Sequence, residues 1–347
     1  MNDHSWHQTV HSDTLPPFLV PEEPALGDEL GVRLRVASDA PVAKVYVRAI
    51  IDGIDHHIPA ELERRGRRFA WYRGRFDLRQ PSTRYHFLVR TTDGSTLYYT
   101  RAGVTGVFPT EDHDFTVNTA YRAPEWVRRS VFYQIFPDRF HRGDRSLGVH
   151  DGEITRGEFS SREMDWTDDP LPHPEGGSLD FFNGDLPGIE AKLDYLAELG
   201  VSAIYLTPIF TAKTNHRYDC LDYFSVDPHL GGDEALASLV AAAHARDMKV
   251  VLDVSINHVG VEHPWADGMV ADGRTVDVIQ RDGGAAVHWA GVPDLLKLDY
   301  AVPELRDRIY RDPDSVVQRY LKPPFNVDGW RFDVASETGR YAGRQEQ

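Results

Sequence analysis

Two fold classes follow one another along this sequence: an antiparallel β-sandwich, then an α/β region built on a parallel sheet. Three observations predict them. Residues from about 28 to 118 alternate apolar and polar side chains with period two and carry no helical repeat. From about residue 130, runs of continuous apolar residues alternate with helix-like segments. Strands that are apolar throughout, separated by helices, imply a parallel sheet covered on both faces. Between the two regions, in "NTAYRAPEW", the alternation stops and a proline appears, which places the boundary near residue 122.

The first region is read strand by strand. "GVRLRVAS" sets Val32, Leu34 and Val36 against Arg33 and Arg35. "KVYVRAI" and "RRFAWYRGRF" repeat the alternation. In "RYHFLVRTTDGSTLYYT", Tyr85, Phe87 and Val89 share a face, and Leu97 and Tyr99 return after Asp93-Gly94. Asp-Gly between alternating runs is a strong hairpin signal. Trp71, Tyr72, Tyr98 and Tyr99 have faces suited to stacking on sugar rings, as in a carbohydrate-binding domain. Aromatic residues also favour strands for packing alone, and packing in the core or an interface is the expectation.

In the second region, "SVFYQIFPDRF" (130–140) reads as a strand entering a loop, and a polar stretch runs to about residue 180. "LPGIEAKLDYLAELG" reads as a helix with Ile189, Leu193, Leu196 and Leu199 on its apolar side and Gly200 as its stop. "VSAIYLTPIF" is a second strand, "DEALASLVAAAHARDMK" a helix with Asp233 as N-cap, and "VVLDVSINH" a third strand. "ELRDRIY" and "DSVVQRYLK" are helical pieces before a fourth strand, "VDGWRFDVA". Polar residues gather where these strands end: Pro137-Asp138, Thr207-Pro208, Asn257-His258 and Arg331 with Asp333. The C-terminal ends of strands are where (β/α)8 barrels carry their chemistry, although such a barrel needs eight strands and four are counted here.

Composition bounds the function. The chain has 347 residues, 41% hydrophobic and 27% charged, with a formal net charge of −16. Binding a nucleic-acid backbone requires a basic face, so that class is disfavoured. One cysteine, Cys220, forms no internal disulfide, and the start "MNDHSWHQTVHSD" lacks a basic then apolar leader. No run is long and apolar enough for a membrane helix. A cytoplasmic protein with no membrane partner is expected.

Residues two apart in a strand share a face, so Arg331 and Asp333 project together. A neighbouring guanidinium favours the charged form of a carboxylate, which suits a nucleophile or an oxocarbenium stabiliser. Asp253, Asn257 and His258 come from the end of another strand, and Tyr218 and Asp219 from the loop after the second. Taken singly, each has a structural reading. Their joint arrival at strand ends points to a sugar-processing site.

The motifs "YQIFPDRF", "FFNGDLPGIEAKLDYLAELGVSAIYLTPIF", "NHRYDCLDYFSVDPHLGG", "DVSINH" and "VDGWRFDVA" resemble the α-amylase family of glycoside hydrolases. Within it, the resemblance is to the cyclomaltodextrinase, neopullulanase and maltodextrin glucosidase branch, with a β-sandwich before the barrel. The opening "WHQTVHSDTLPPF" and "LLKLDY" look closest to cytoplasmic maltodextrin glucosidases. The resemblance implies a sandwich over 1–122 and the first half of a (β/α)8 TIM barrel over 123–347, with a protruding B region at about 259–295. It implies retaining hydrolysis of α-1,4 bonds in maltodextrins. Asp333 matches the nucleophile and Arg331 its partner. His258 matches the histidine that bonds the sugar, Tyr218 the stacking tyrosine, and Asp253 and Asn257 supporting positions; Asp219 stands beside Tyr218 as a further substrate-side carboxylate.

Two departures qualify that picture. Some relatives bind calcium in the loop after "FPDRF"; here "HRGDRSLGVHDG" keeps Asp144 without the asparagines, and Asp185 survives in "NGDL". No cofactor or metal is expected. The family's acid/base glutamate belongs to a fifth strand, and a His-Asp pair to a seventh; neither has a counterpart in this sequence. Glu337, four residues past Asp333, is expected to point away from the site. The resemblance therefore implies a fragment that is inactive alone, with an unpaired strand edge favouring a homo-oligomer or aggregation. A catalytically inactive α-glucan-binding protein is the alternative. Hydrolysis against transglycosylation, and α-1,4 against α-1,6 linkage, stay open.

Overall fold

The computed structural model describes residues 5–119 and 123–341. Contacts divide the chain into two compact units, Met1–Arg128 and Arg129–Gln347. The boundary expected near residue 122 lies outside the described residues.

Among its described residues the first unit contains nine strands: β1 (Leu19–Val20), β2 (Glu29–Ala37), β3 (Val42–Ile51), β4 (Ile54–Arg65), β5 (Phe69–Asp77), β6 (Ser82–Thr91), β7 (Thr96–Thr100), β8 (Gly103–Thr105) and β9 (Phe115–Asn118). They form one continuous sheet, in the order β1-β2-β5-β4-β3-β6-β7-β8, with β9 also on β6. The two layers of a sandwich are thus joined rather than separate. Their link is β4, which pairs through Ile54–Ala60 with β3 and through Glu61–Arg65 with β5. Period-two side chains of both layers face one core: Leu30, Val32, Leu34 and Val36 from β2, Val45, Val47 and Ala49 from β3, Tyr85, Phe87 and Val89 from β6. Phe76 of β5 meets Tyr85 of β6 with ring centroids 6.0 Å apart. Gly74 lets β5 approach β3, since a Cβ there would overlap Val47.

The hairpin at Asp93-Gly94 forms with Val89 opposite Leu97 and Phe87 opposite Tyr99. Tyr72 and Tyr99 are buried in the core. Trp71 is sandwiched by Phe18, stacked at 5.1 Å, and by the Arg64 guanidinium, 4.4 Å from its centroid. Tyr98 packs against His86 and Phe108. These aromatics therefore pack on protein, and both faces of Trp71 are taken.

In the second unit four strands, β10 (Phe132–Ile135), β11 (Ala203–Leu206), β12 (Lys249–Val254) and β13 (Gly329–Phe332), form a parallel sheet in that order. Leu206 is level with Leu252, and Asp253 with Arg331. One face carries Ile204, Leu206, Val250 and Leu252, all fully buried against the helices. The other carries Gln134, Tyr205, Val251 and Arg331, and it stays partly open. Among the described residues β10 and β13 are the sheet's edges, and Phe132, Tyr133 and Phe332 on them are exposed.

The first helical segment differs from the continuous helix expected. It is two short helices, α1 (Leu186–Ala191) and α2 (Leu193–Glu198), interrupted at Lys192. The buried stripe is Leu186, Ile189, Leu193 and Leu196, while Leu199 is exposed. Gly200, in a left-handed conformation (φ +81°), ends the segment as a C-terminal glycine does. Helix α3 (Gly232–His244) is capped by Gly231 and not by Asp233. Asp233 lies one residue inside the first turn, where a carboxylate suits the helix dipole, and accepts from Val226 N at 2.9 Å.

Between β12 and β13, His258–Gly260 pairs antiparallel with Leu295–Lys297. The chain between them, which includes the ribbons Met269–Ala271/Arg274–Val276 and Arg281–Asp282/Ala285–Ala286, begins and ends at that pair. No helix among the described residues is long and apolar enough to cross a membrane.

Candidate active site

The open face of the parallel sheet ends in a cluster of polar side chains. Asp253, on β12, is fully buried at its centre. Its carboxylate accepts from Tyr218 Oη at 2.8 Å, from Tyr205 Oη, and from Arg331 Nη1 at 3.0 Å. Burial raises the Asp253 carboxyl above the ordinary aspartate range, and the two tyrosines and Arg331 work against that rise. The same Nη1 donates to Asp333 Oδ1 at 2.7 Å. Arg331 therefore bridges a buried aspartate and a second one whose side chain is 17% exposed. Burial and the Asp253 carboxylate also raise Tyr218 and Tyr205, so both hydroxyls keep their protons for donation.

Register explains the bridge. Asp253 and Arg331 are opposite one another on neighbouring parallel strands, and Asp333 is two residues further along the Arg331 face. Asp333 N still bonds to Val254 O at 3.0 Å, so the strand pairing extends beneath the carboxylate.

His258 begins the short strand after β12 and is 1% exposed. Asn257 Nδ2 donates to its Nδ1 at 3.2 Å, and Ser255 Oγ lies 3.0 Å from Nε2. Trp289 covers the ring face, with centroids 4.8 Å apart and planes 17° off parallel. Burial pushes the His258 imidazole down to about 4, against the opposing pull of Asp333 and Asp219, so the ring is neutral near pH 7. Asn257 Oδ1 is buried without a partner among the described residues. Asp219, buried in the loop between Phe210–Ala212 and Cys220–Val226, accepts from Thr214 Oγ1.

Asp253, Arg331, Asp333 and Tyr218 thus converge directly. Asn257 meets His258, while Asp219 is held by its own loop. Sequence reasoning missed Tyr205, which an apolar reading of β11 absorbed; its place two residues before Thr207, on the open face, was the available signal. It also missed Trp289, lying in the segment 259–295 with no periodic pattern around it. Glu337 differs from expectation. Val334 takes a left-handed conformation (φ +42°) and turns the chain just past Asp333. Glu337 Oε2 then accepts from Trp289 Nε1 at 2.7 Å, so this side chain faces the site's wall.

The aspartates weighed as remnants of a calcium loop serve other partners. Asp185 is the N-cap of α1, accepting from Gly188 N at 2.6 Å, Gly143 N at 2.9 Å and Asp144 N at 2.9 Å. Asp144 Oδ1 accepts from Ser146. Three backbone donors on Asp185 leave a donor set that does not fit a cation. Among the described residues no group of three acidic, histidine or cysteine side chains converges on a metal position.

Comparison with known proteins sets this geometry in context. A family model described as "Alpha amylase, catalytic domain" matches residues 134–282. An intracellular maltogenic amylase of Bacillus subtilis is 39% identical over 229 residues, covering 62% of this chain and 35% of that protein. A cyclomaltodextrinase of Geobacillus thermopakistaniensis (strain MAS1) is 35% identical over 273 residues, 73% of this chain and 42% of its own length. Among solved structures, a cyclomaltodextrinase superposes with a TM-score of 0.56 at 27% identity, over 96% of this chain and 56% of that one. The chain spans between about a third and just over half the length of these proteins.

Proposed function

Because the chain belongs to the α-amylase family of glycoside hydrolases, we propose that its open-faced site binds short α-glucans, with Asp333 as the nucleophile of retaining hydrolysis at α-1,4 bonds. The observation that carries this reading is the single guanidinium of Arg331 shared by Asp333 and the buried Asp253. In that role Asp333 attacks the anomeric carbon while the glycosidic oxygen leaves with a proton from a second carboxylic acid. Water then cleaves the glucosyl ester, with that second group acting as base. Asp253 holds Arg331 and, through Tyr218, an aromatic wall for the sugar. Neutral His258, with Asn257 and Asp219 beside it, supplies polar contacts to its hydroxyls.

Within these 347 residues the resemblance provides no counterpart to the acid/base glutamate. Glu337 bonds an indole N–H instead. We therefore infer that this chain by itself binds maltodextrin without turning it over, and that hydrolysis belongs to the larger architecture of its relatives. A cytoplasmic location fits the same substrate.

The test is calorimetric titration of the purified chain with maltotriose, run beside a glucose-release assay, for the parent and Asp333→Asn. Binding by both without glucose release is the expected result. Release that disappears in the variant would keep Asp333 as nucleophile and overturn the inference of inactivity. No binding by the folded parent would overturn the glucan reading itself.

A further inference from the structure

Trp289 lies in an exposed turn, Trp289–Gly291, next to Ala290 and Gly291, both with positive φ (+50° and +74°). A backbone of that kind has little to hold an indole still. The preceding backbone is anchored: Val287 N bonds to Gln280 O at 2.8 Å, and Lys297 N to Val287 O at 2.9 Å. The side chain is then fixed at both ends of the ring system. Its face lies on His258, and its Nε1 donates to Glu337 Oε2 at 2.7 Å across 48 residues of sequence. A hydrogen bond to a carboxylate is among the stronger kinds, and ring stacking adds directional attraction.

We propose that Trp289, held in place by Glu337, is a positioning residue that sets the ring plane of His258. Ser255 and Asn257 fix that ring in its own plane through Oγ and Nδ2. The indole supplies the missing constraint, perpendicular to the ring, and seals it from water. Glu337 comes from the turn directly after Asp333, so the constraint ties the histidine to the segment that bears the nucleophile candidate. This assignment rests on the reading that His258 meets the sugar.

Two measurements test it, on the full chain in each case. Histidine side-chain NMR titration, with His258→Gln identifying the resonance, reads the ring's environment without any ligand. The charged groups facing His258 are Asp333, Asp219 and Glu337, and all three remain in the Trp289 variants. In Trp289→Ala the His258 midpoint is expected to climb from about 4 toward the ordinary histidine value. In Trp289→Phe, which keeps a ring over the histidine but loses the N–H that Glu337 holds, it is expected to lie between the parent and the alanine variant. Glu337→Gln keeps an acceptor but removes a carboxylate that pulls the imidazole upward, so its midpoint should stay at or below the parent's, and Glu337→Ala, which also frees the indole, should lie above Glu337→Gln. Maltotriose affinity should weaken roughly three- to tenfold in Trp289→Ala and recover only in part in Trp289→Phe. An unchanged titration in Trp289→Ala overturns the proposal, as does a Trp289→Phe variant that behaves like the alanine. Failure of the parent to bind maltotriose overturns the functional reading, and the titration then still decides whether Trp289 positions the ring.

Discussion

The two sheets bury charge differently. In the antiparallel sheet, His86 and Asp114 are fully buried, with Nδ1 and Oδ1 2.7 Å apart, and Arg48 reaches Asp114 at 3.2 Å from a side chain 6% exposed. The imidazole and the carboxylate are enclosed by their own unit, with Phe108 and Tyr98 over the imidazole, while Arg48 also reaches the half-exposed Asp55 and Glu111. In the parallel sheet, Asp253 is as deeply buried, yet its arginine is 43% exposed and passes the contact on to Asp333. One cluster reaches the surface only beyond an arginine that is itself nearly buried; the other opens toward solvent through a guanidinium that is half-exposed. The comparison teaches which buried charge holds a fold and which is set up to meet something outside it.

The sharpest way to break that contrast is to delete the carboxylate of each. Asp114→Ala leaves Arg48 and His86 buried without it, and such an uncompensated group costs about 3–5 kcal/mol. Arg48 keeps Asp55 at 2.6 Å, which favours the lower end of that range. Asp253→Ala strands two tyrosine hydroxyls, but the half-exposed Arg331 retains Asp333 and water, so about 2 kcal/mol is expected. Urea midpoints followed by fluorescence measure both. If Asp253→Ala proves the costlier, the open cluster is the more structural one and the contrast fails.

A pH scan sharpens it further. His263, 4% exposed between Tyr223 and Trp265, is pushed down to about 4, chiefly by burial. Its unfolded form takes a proton near the ordinary value of about 6.5. Between those limits the unfolded chain binds more protons, so stability falls as pH drops from about 6.5 to about 4. One proton difference corresponds to about 1.4 kcal/mol per pH unit, and partial solvation reduces the slope to about 1. His258 behaves with the same sign. In His263→Phe the slope of the urea midpoint against pH should drop by about a third, leaving the contributions of His258 and of His216, which burial also lowers. An unchanged slope would show that His263 is already solvated.

Much of this contrast could be read in the amino-acid sequence. Period two placed Val32, Tyr85 and Phe87 in one core because a half-buried strand leaves no other arrangement. The hairpin at Asp93-Gly94 followed from turn chemistry. Arg331 and Asp333 were assigned a shared face by the same period, and Arg331 does bond Asp333. Local pattern did not reveal contacts set by the register between strands. Tyr205 looked like filler in an apolar strand until its hydroxyl met Asp253 on the neighbouring one. Trp289 and Glu337, 48 residues apart, carried no periodic signal at all. The helix misreading has a different origin: Leu199 has the right spacing from Leu196, but it is the C-cap of α2, where the helix has already ended.

The smallest expected effect is the most discriminating. Asp333→Asn keeps the shape of the side chain and removes its charge. Its partner Arg331 is half-exposed and still paired with Asp253, so the lost ion pair resembles a surface one, worth less than about 1 kcal/mol. Urea midpoints of the variant and parent should therefore nearly coincide, while Asp253→Ala, bonded to the same arginine, falls well below both. A residue that leaves stability untouched yet completes an aligned chain of Tyr205, Asp253 and Arg331 is placed for a ligand, since the fold gains little from it. A loss of about 2 kcal/mol or more in Asp333→Asn would reverse that argument: the aspartate would be holding Arg331 for the fold's sake, and the open cluster would be as structural as the one around Asp114.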